Sequence, residues 1–387
     1  MTDTTTRLSR RLGLADSVVI GLGSMIGAGV FAAPQPAAQA AGTAMLIGLA
    51  IAAAVAYCNA MSSAWLAARY PESGGTYVYG RERLGDAWGI VAGGAFILGK
   101  LASLCAMALT FGAYVAPGSE RPLAVGLVVA MTAVNALGVG KTAAVTRVVV
   151  ALVLATLAAL VVAALAAGDA DSGNLTPLIP TGVGPLDVLE SAGFLFFAFA
   201  GYARIATLGE EVVDPARTIP RAIAIAFGVV VAVYAITAVA ALAVLGGSGV
   251  AASSAPLADA AGGGGAEVAV RAGAALAAAG VLLSLLAGVA RTTFAMADSG
   301  HLPRPLAKVD ARSRVPLRAE LLVGAIVVVA VLLLDLRGAI GFSSVCVLLY
   351  YAIANASALT LEDRRRVLPA LGLAGCLLLA VTLLVAR

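Results

Sequence analysis

Long apolar segments recur along the whole chain, and they limit the possible fold more than any other feature. A helix needs about 20 mostly apolar residues to cross a bilayer, and about eleven such segments follow one another here. The chain is 61% hydrophobic and only 12% charged, and its mean hydropathy is +1.00. These values are typical of a polytopic membrane protein. We therefore predict an all-α integral membrane fold with spans near 13–41, 43–68, 86–117, 122–139, 147–168, 186–210, 221–246, 268–297, 319–335, 338–360 and 367–386.

The distribution of Lys and Arg predicts the orientation of these spans. With the N-terminus in the cytoplasm, most basic residues fall in cytoplasmic segments, and the outside holds only Arg121, Arg271, Arg337 and Arg387. Positive charge concentrates on the cytoplasmic side of membrane proteins. An odd number of spans then places the C-terminus outside. The basic character therefore reflects topology, and we predict no nucleic-acid partner.

Three glycines interrupt the first span, in the stretch GSMIGAGVF at 23–31. A second interruption, FLFFAFAGY at 194–202, falls in the sixth span. Each opens a block of about five spans, and an odd number of spans gives the blocks opposite orientations. Paired interruptions in two inverted halves are typical of secondary transporters, with the substrate where the broken helices meet. The alternative is that the glycines only allow close helix packing.

The predicted organisation follows from these two blocks. It consists of a cytoplasmic tail 1–12, a first inverted repeat 13–168, an extracellular loop 169–185, a second inverted repeat 186–360, and a cytoplasmic loop with the last span at 361–387.

Helix ends at the interruptions predict the binding chemistry. A break at Gly27, Ala28 and Gly29 exposes backbone N–H groups, which with the positive end of the helix dipole can hold a carboxylate. Carbonyl groups at 24–26 and 197–200 can accept hydrogen bonds from an ammonium. The two poles together suit an α-amino acid.

Four sequence blocks resemble the amino acid, polyamine and organocation (APC) transporter superfamily, of the amino acid permease type. They are GSMIGAGVF at 23–31, YPESGGTYVY at 70–79, the stretch from FAFAGY through EEVVDPARTIPRA at 197–222, and 291–303, which ends in AMADSGHLP. The resemblance implies a five-plus-five inverted-repeat (LeuT-like) fold with broken helices 1 and 6, working by alternating access.

Roles also follow from the resemblance. Phe197 matches an aromatic that closes over the substrate, although a Phe there can simply pack. Segment 71–84 would form a cytoplasmic gate helix with Glu72 as a gate residue, unless Glu72 only keeps the loop solvated. The residues implied in substrate binding are Met25, Ile26, Gly27, Ala28, Gly29, Lys100, Ser103, Met107, Phe197, Ala200, Gly201 and Leu285.

Lys100 is the candidate coupling residue, because it lies deep in the third span. Intramembrane charges are costly and often functional. A buried Lys can gain and lose a proton during a cycle, or its charge can attract an acidic side chain and repel cations. The alternative is a structural Lys that donates to backbone carbonyls.

These features predict a plasma-membrane amino acid permease for neutral or acidic amino acids, driven by protons or by exchange. We predict no cofactor and no metal ligands, and the partners are an amino acid, H+ and the bilayer, with the oligomeric state left open. An exporter and a cationic amino acid or polyamine exchanger of the same fold remain alternatives. A non-transporting sensor is much less favoured, a channel is disfavoured by the broken helices, and an enzyme by the lack of catalytic constellations in the spans.

Overall fold

The computed structural model describes residues 12–70, 74–138, 143–166, 170–202, 212–310, 313–362 and 366–386. Within these residues the regular elements are helices. They are α1 Leu14–Met25, α2 Gly29–Ala32, α3 Pro34–Ala41, α4 Met45–Arg69, α5 Thr76–Leu84, α6 Asp86–Val115, α7 Glu120–Ala136, α8 Ala143–Ala166, α9 Pro185–Phe199, α10 Pro215–Ala252, α11 Pro256–Asp259, α12 Gly264–Asp298, α13 Leu317–Leu333, α14 Leu336–Leu359 and α15 Val367–Val385.

The length and apolarity of these helices confirm the prediction of an all-α membrane protein. Eight helical segments of the described chain are long and apolar enough to cross a membrane. Helices α7, α9 and α13 lie in three further predicted spans but have only 17, 15 and 17 residues. Helix α10 is kinked at Gly246, which has a non-helical φ of 67°.

The first span is broken where the glycines predicted it. Helix α1 ends at Met25, because Ile26 takes a non-helical ψ of 85°. Helix α2 begins at Gly29 after the three-residue break, and Pro34 then occupies the first turn of α3. Proline suits a helix start because its missing N–H has no intrahelical partner there. The outer half of the span is therefore α2 followed by α3.

The first half of the sixth span ends where the second interruption is predicted. Helix α9 ends at Phe199, and residues 200–202 form a turn. Residues 203–211, where the predicted span continues, lie outside the described residues. We use "inner end" for the side of the bundle where α1 begins, which the charge distribution predicts to be cytoplasmic, and "outer end" for the opposite side.

The broken spans lie at the centre of the bundle. Helix α9 packs against α3 and α4, and α10 packs against α1, α3 and α4. Helix α6 lies between α12 and α14, and α5 covers the inner part of α6 and α14. At the inner end, the Val213 N–H donates to the Leu12 carbonyl at 3.0 Å, which places the start of α1 beside the segment that precedes α10.

The predicted gate segment 71–84 is helical over Thr76–Leu84. Glu72 lies outside the described residues. The assignment of blocks 13–168 and 186–360 as two inverted repeats stays a prediction.

Candidate functional site

The two breaks touch each other through backbone atoms. A Cβ atom added at Gly201 would overlap the Ser24 carbonyl group, and one added at Gly29 would lie 2.7 Å from the Ala198 Cα. Real Cβ atoms do not approach a backbone so closely. Glycine is therefore required at both positions by close approach, and these contacts bring the predicted residues Gly29 and Gly201 to one place.

The break in the first span leaves N–H groups without intrahelical acceptors at the start of the outer half. The Gly27 N–H donates to the Met25 carbonyl at 2.9 Å, and the Phe31 N–H donates to the Ala28 carbonyl at 3.1 Å. The N–H groups of the first turn of a helix have no intrahelical acceptor, which applies here to Gly29 and Val30. These donors, with the α2 and α3 dipoles behind them, can hold an anionic group.

Tyr234 on α10 links the carbonyls of both breaks. Its hydroxyl lies 2.7 Å from the Met25 carbonyl oxygen and 3.0 Å from the Ala198 carbonyl oxygen. The ring is buried and packs on Phe199 with a centroid distance of 5.1 Å. One phenolic proton is therefore shared between the ends of α1 and α9.

A second tyrosine reaches the sixth-span break from α14. The Tyr351 hydroxyl donates to the Ala200 carbonyl at 3.4 Å, and its ring lies 4.9 Å from that of Tyr202. Each carbonyl has two lone pairs. An oxygen that already accepts from a tyrosine can therefore accept from a ligand ammonium too.

Helix α12 forms an apolar wall against the first break. A Cβ atom added at Gly27 would lie 2.7 Å from the Val281 Cγ2 atom. The predicted residue Leu285 is half-buried and lies one turn further along α12, on the same face. Val281 was not predicted, although its helical spacing from Leu285 is the signal that could have found it.

The predicted residues of α6 share one side of that helix. Lys100, Met107 and Tyr114 are spaced by seven residues, which keeps them on one face. Tyr114 shows where this face points, because its hydroxyl donates to the Phe31 carbonyl at 3.2 Å and its ring meets the Phe31 ring edge-on. The face carrying Lys100 and Met107 therefore runs toward the broken first span.

The Ser103 side chain forms a hydrogen bond with helix α14. Its hydroxyl lies 2.7 Å from the Ser343 hydroxyl on α14 and also donates to the Gly99 carbonyl at 3.0 Å. Both serines are buried. This pair joins α6 to α14, so a role of Ser103 in binding would require one of these hydrogen bonds to change.

Lys100 is half-buried, and its Nζ atom lies 6.0 Å from the Phe96 ring centroid. No carboxylate of the described residues lies within ion-pair distance of it. Gly93 precedes Lys100 by seven residues on the same face of α6, and it lies against Tyr77 of α5 and Met296 of α12. Lys100 thus lies between helix α5, which forms the inner cover of the bundle, and the level of the breaks.

Phe197 is buried at 7% exposure on α9. Glu190, Phe194 and Phe197 are spaced i, i+4 and i+7, so they form one stripe from the outer end of α9 to the break. Near the outer end of this stripe, Arg337 of α14 donates to the Glu190 carboxylate at 2.5 Å. The sequence analysis did not predict this ion pair.

The inner cover is held by aromatic side chains. The Thr76 N–H at the start of α5 donates to the Tyr350 hydroxyl at 3.0 Å, and the Tyr77 hydroxyl lies 3.1 Å from the His301 Nδ1 atom. Arg81 pairs with Glu82 at 3.3 Å. Helix α5 is thus tied to α14 and to the end of α12 at the inner end.

No metal-binding cluster of three or more His, Cys, Asp or Glu occurs among the residues that the structure describes. Cys58, Cys105 and Cys376 are buried, and Cys346 is half-buried.

Comparisons with known proteins assign the family. Residues 12–386 match the model of the family described as amino acid permease. The chain is 60% identical over 383 residues to a protein of Mycobacterium bovis named an uncharacterized transporter, covering 97% of this chain and 87% of the relative.

More distant relatives carry substrate names. The branched-chain amino acid permease BcaP of Bacillus subtilis is 27% identical over 80% of this chain and 71% of its own length. Cationic amino acid transporter 4 of Homo sapiens is 27% identical over 93% of this chain and 61% of its own length. With the family model matching nearly the whole chain, this protein is a multi-pass membrane transporter that belongs to the amino acid permease family.

Proposed function

We propose that this transporter carries amino acids across the plasma membrane by alternating access, with the substrate bound where the two broken helices meet. The observation that carries this proposal is the direct contact of the breaks, Gly201 against Ser24 and Gly29 against Ala198. The Gly29–Ala198 contact puts the N-terminal end of α2 next to the C-terminal end of α9, and the Gly201–Ser24 contact puts the C-terminal ends of α9 and α1 together. Such ends near the midplane are the binding elements of inverted-repeat transporters.

The binding mode follows from the polarity of those ends. The substrate carboxylate accepts hydrogen bonds from N–H groups at Gly29 and Val30, where the helix dipole is positive. Its ammonium donates to carbonyls near Met25 and Ala198, which Tyr234 already holds in place. Because both charged groups of the ligand meet backbone atoms, this mode recognises the α-amino acid unit without any charged side chain.

The walls around the breaks favour neutral amino acids. Val281, Leu285 and Phe197 are apolar, and none of the described side chains placed at the breaks is a carboxylate. A cationic side chain left without a partner in such a site would cost several kcal/mol. The name of the Bacillus subtilis relative agrees with this class, whereas the name of the human relative favours cationic amino acids.

We therefore expect branched-chain and other neutral amino acids to compete for uptake more strongly than arginine, lysine or spermidine. The measurement is inhibition of labelled L-leucine uptake into proteoliposomes by each unlabelled compound. The apolar wall predicts at least a ~10-fold advantage for neutral compounds, since each 1.4 kcal/mol is a factor of ten. Stronger inhibition by arginine or spermidine than by every neutral amino acid would assign the cationic class instead.

The transport activity itself is tested with a panel of labelled amino acids in proteoliposomes. Uptake is measured with no gradient, with an imposed proton gradient, with a sodium gradient, and with amino acid preloaded inside. Acceleration by a proton gradient or by preloading distinguishes symport from exchange. Uptake of no amino acid under any of these conditions would contradict the proposal.

Lys100 is proposed as the coupling residue, because its face of α6 points toward the broken first span. Lys100→Met removes the charge and nearly preserves the volume, so we expect transport that no longer depends on the proton gradient. The measurement compares the pH dependence and selectivity of uptake with those of wild type.

Lys308→Met in the loop that follows α12 is the matched control for loss of one positive charge, because Lys308 is exposed and belongs to the segment predicted to be cytoplasmic. Wild-type rate, pH dependence and selectivity in Lys100→Met would make Lys100 a structural residue.

A further inference from the structure

A second cavity lies at the outer end of the bundle, away from the breaks. Its volume is about 180 Å³, and it is enclosed by α9, α14 and the last turn of α15. One buried water needs a cavity of only about 10–15 Å³. This cavity is more than ten times larger, so it can hold a ligand of amino acid size. Its lining includes Glu190, Phe194, Asp335, Arg337, Leu383 and Ala386.

Both signs of charge face this cavity. Arg337 pairs with Glu190 and also donates to the Gln39 side-chain oxygen at 3.3 Å. Its guanidinium lies over the Phe194 ring, 4.8 Å from the centroid. The Arg337 side chain is still 37% exposed, whereas that of Glu190 is 11% exposed. Since a guanidinium carries five N–H donors, Arg337 can bind a further oxygen from the cavity.

Asp335 supplies a second carboxylate at the start of α14. One of its oxygens accepts the Gly338 N–H at 2.7 Å and so caps the helix. An ionised carboxylate has about four acceptor positions, which leaves Asp335 able to accept from a ligand. The lining is completed by apolar groups, namely the Phe194 ring, Leu383 and Ala386.

The cavity is separate from the breaks but is connected to them by α9. Glu190 and Phe197 are seven residues apart on one stripe of that helix, a distance of about 10 Å along its axis at 1.5 Å per residue. Phe194 lies between them. A ligand in the outer cavity and a ligand at the breaks would therefore occupy different positions along α9.

We propose that this cavity is an outer binding site for a zwitterionic amino acid, distinct from the site at the breaks. The carboxylate binds Arg337, the ammonium binds Asp335 and Glu190, and an aliphatic side chain packs on Phe194 and Leu383. Two carboxylates beside one guanidinium disfavour a simple anion. The apolar lining gives a hydrated metal ion few ligands.

Occupancy of this site changes the contact between two helices. A ligand carboxylate at Arg337 competes with Glu190 for the same guanidinium, and the Arg337–Glu190 pair joins α14 to α9. Binding from outside therefore weakens the connection between the outer half of the sixth span and α14. The inference rests on the proposed function for the identity of its ligand.

The test first removes binding at the breaks, so that binding in the outer cavity can be measured by itself. Gly29→Leu fills the contact with Ala198 and is expected to abolish binding at the breaks. We expect the purified variant in lipid nanodiscs to retain saturable, weaker binding of tritiated L-leucine, measured by scintillation proximity. Gly201→Ala provides a second background with the same expectation.

Two further changes in that background probe the cavity itself. Arg337→Lys removes the planar donor pair, and Ala386→Phe fills the cavity without altering a charge. Each is expected to weaken the residual binding by at least ~10-fold, as charge-assisted bidentate contacts and volume are lost. Val385→Phe is the matched control, because Val385 is 73% exposed in the same turn and does not line the cavity.

The outcomes distinguish this inference from the proposed function. If wild type transports amino acids but neither folded background variant binds L-leucine, the outer site is wrong and the site at the breaks stands. Residual binding that Arg337→Lys and Ala386→Phe leave unchanged also overturns the outer site. If wild type neither binds nor transports any amino acid, the proposed function fails first.

Discussion

Replacing Gly201 with alanine is expected to abolish amino acid uptake while the protein remains inserted and folded. The added Cβ would overlap the Ser24 carbonyl, and neither atom belongs to a flexible side chain that can move away. Overpacking of a well-packed interior costs about 1–3 kcal/mol, and more when backbone must shift. We expect the two breaks to separate and uptake into proteoliposomes to fall more than ~10-fold.

Gly228→Ala is the control for this substitution. Gly228 lies in α10, where an added Cβ meets no atom within 4 Å, so the same chemical change carries no steric cost. Monodisperse elution and an unchanged helical spectrum would show that the Gly201 variant is folded. Wild-type uptake by a folded Gly201→Ala protein would mean that the close contact of the breaks is not needed for transport.

Gly29 makes the equivalent contact from the first span, and a larger side chain there is expected to remove binding at the breaks, leaving only the weaker binding proposed for the outer cavity. In Gly29→Leu the side chain would fill the space against Ala198, where the substrate carboxylate is proposed to meet the helix N-terminus. Equilibrium binding of labelled amino acid, read against wild type, measures the loss. Normal affinity at the breaks in a well-behaved Gly29→Leu protein would place the substrate elsewhere.

The sequence was sufficient to predict the spans and the interruptions, because both depend on local properties. An apolar run of span length predicts a membrane helix whatever its tertiary contacts are. Gly27 and Gly29 lie together in one such run. The helix ends at Met25 and Phe199 therefore fall where the glycine-containing stretches placed them. Helix α7 nearly matches its predicted span 122–139, and α9 is short because it ends at the predicted interruption.

Contacts between distant segments were beyond reach of the sequence alone. The family resemblance implied a role of Ser103 in substrate binding, but it gave no sign that the Ser103 hydroxyl pairs with Ser343, 240 residues away. Arg337 pairs with Glu190 through packing between two helices, which no spacing within one helix encodes. Tyr234 offered a partial signal, because a tyrosine in an apolar span usually needs a hydrogen-bond partner.

Replacing Tyr234 with phenylalanine is expected to weaken amino acid binding at the breaks. The substitution keeps the ring that packs on Phe199 but removes the hydroxyl shared by the Met25 and Ala198 carbonyls. Leaving a buried polar group without its partner costs about 1–3 kcal/mol, which corresponds to roughly 5- to 150-fold in affinity if the cost falls on the bound geometry. Equilibrium binding and the KM of uptake are the measurements.

Thr237→Val on the same helix separates this role from a general effect on α10. The Thr237 hydroxyl is buried one turn after Tyr234 and lies near the breaks, but it donates to the Val233 carbonyl of its own helix at 2.6 Å. A valine has nearly the same shape, and the Val233 carbonyl keeps its intrahelical hydrogen bond, so affinity should stay within about 2-fold of wild type. If Tyr234→Phe and Thr237→Val change KM equally, the Tyr234 hydroxyl does not position the Met25 and Ala198 carbonyls for substrate binding. A positioning role requires a larger KM for Tyr234→Phe than for Thr237→Val, with similar kcat and thermal stability in the two variants. A purely structural defect would instead lower the stability and the maximal rate together.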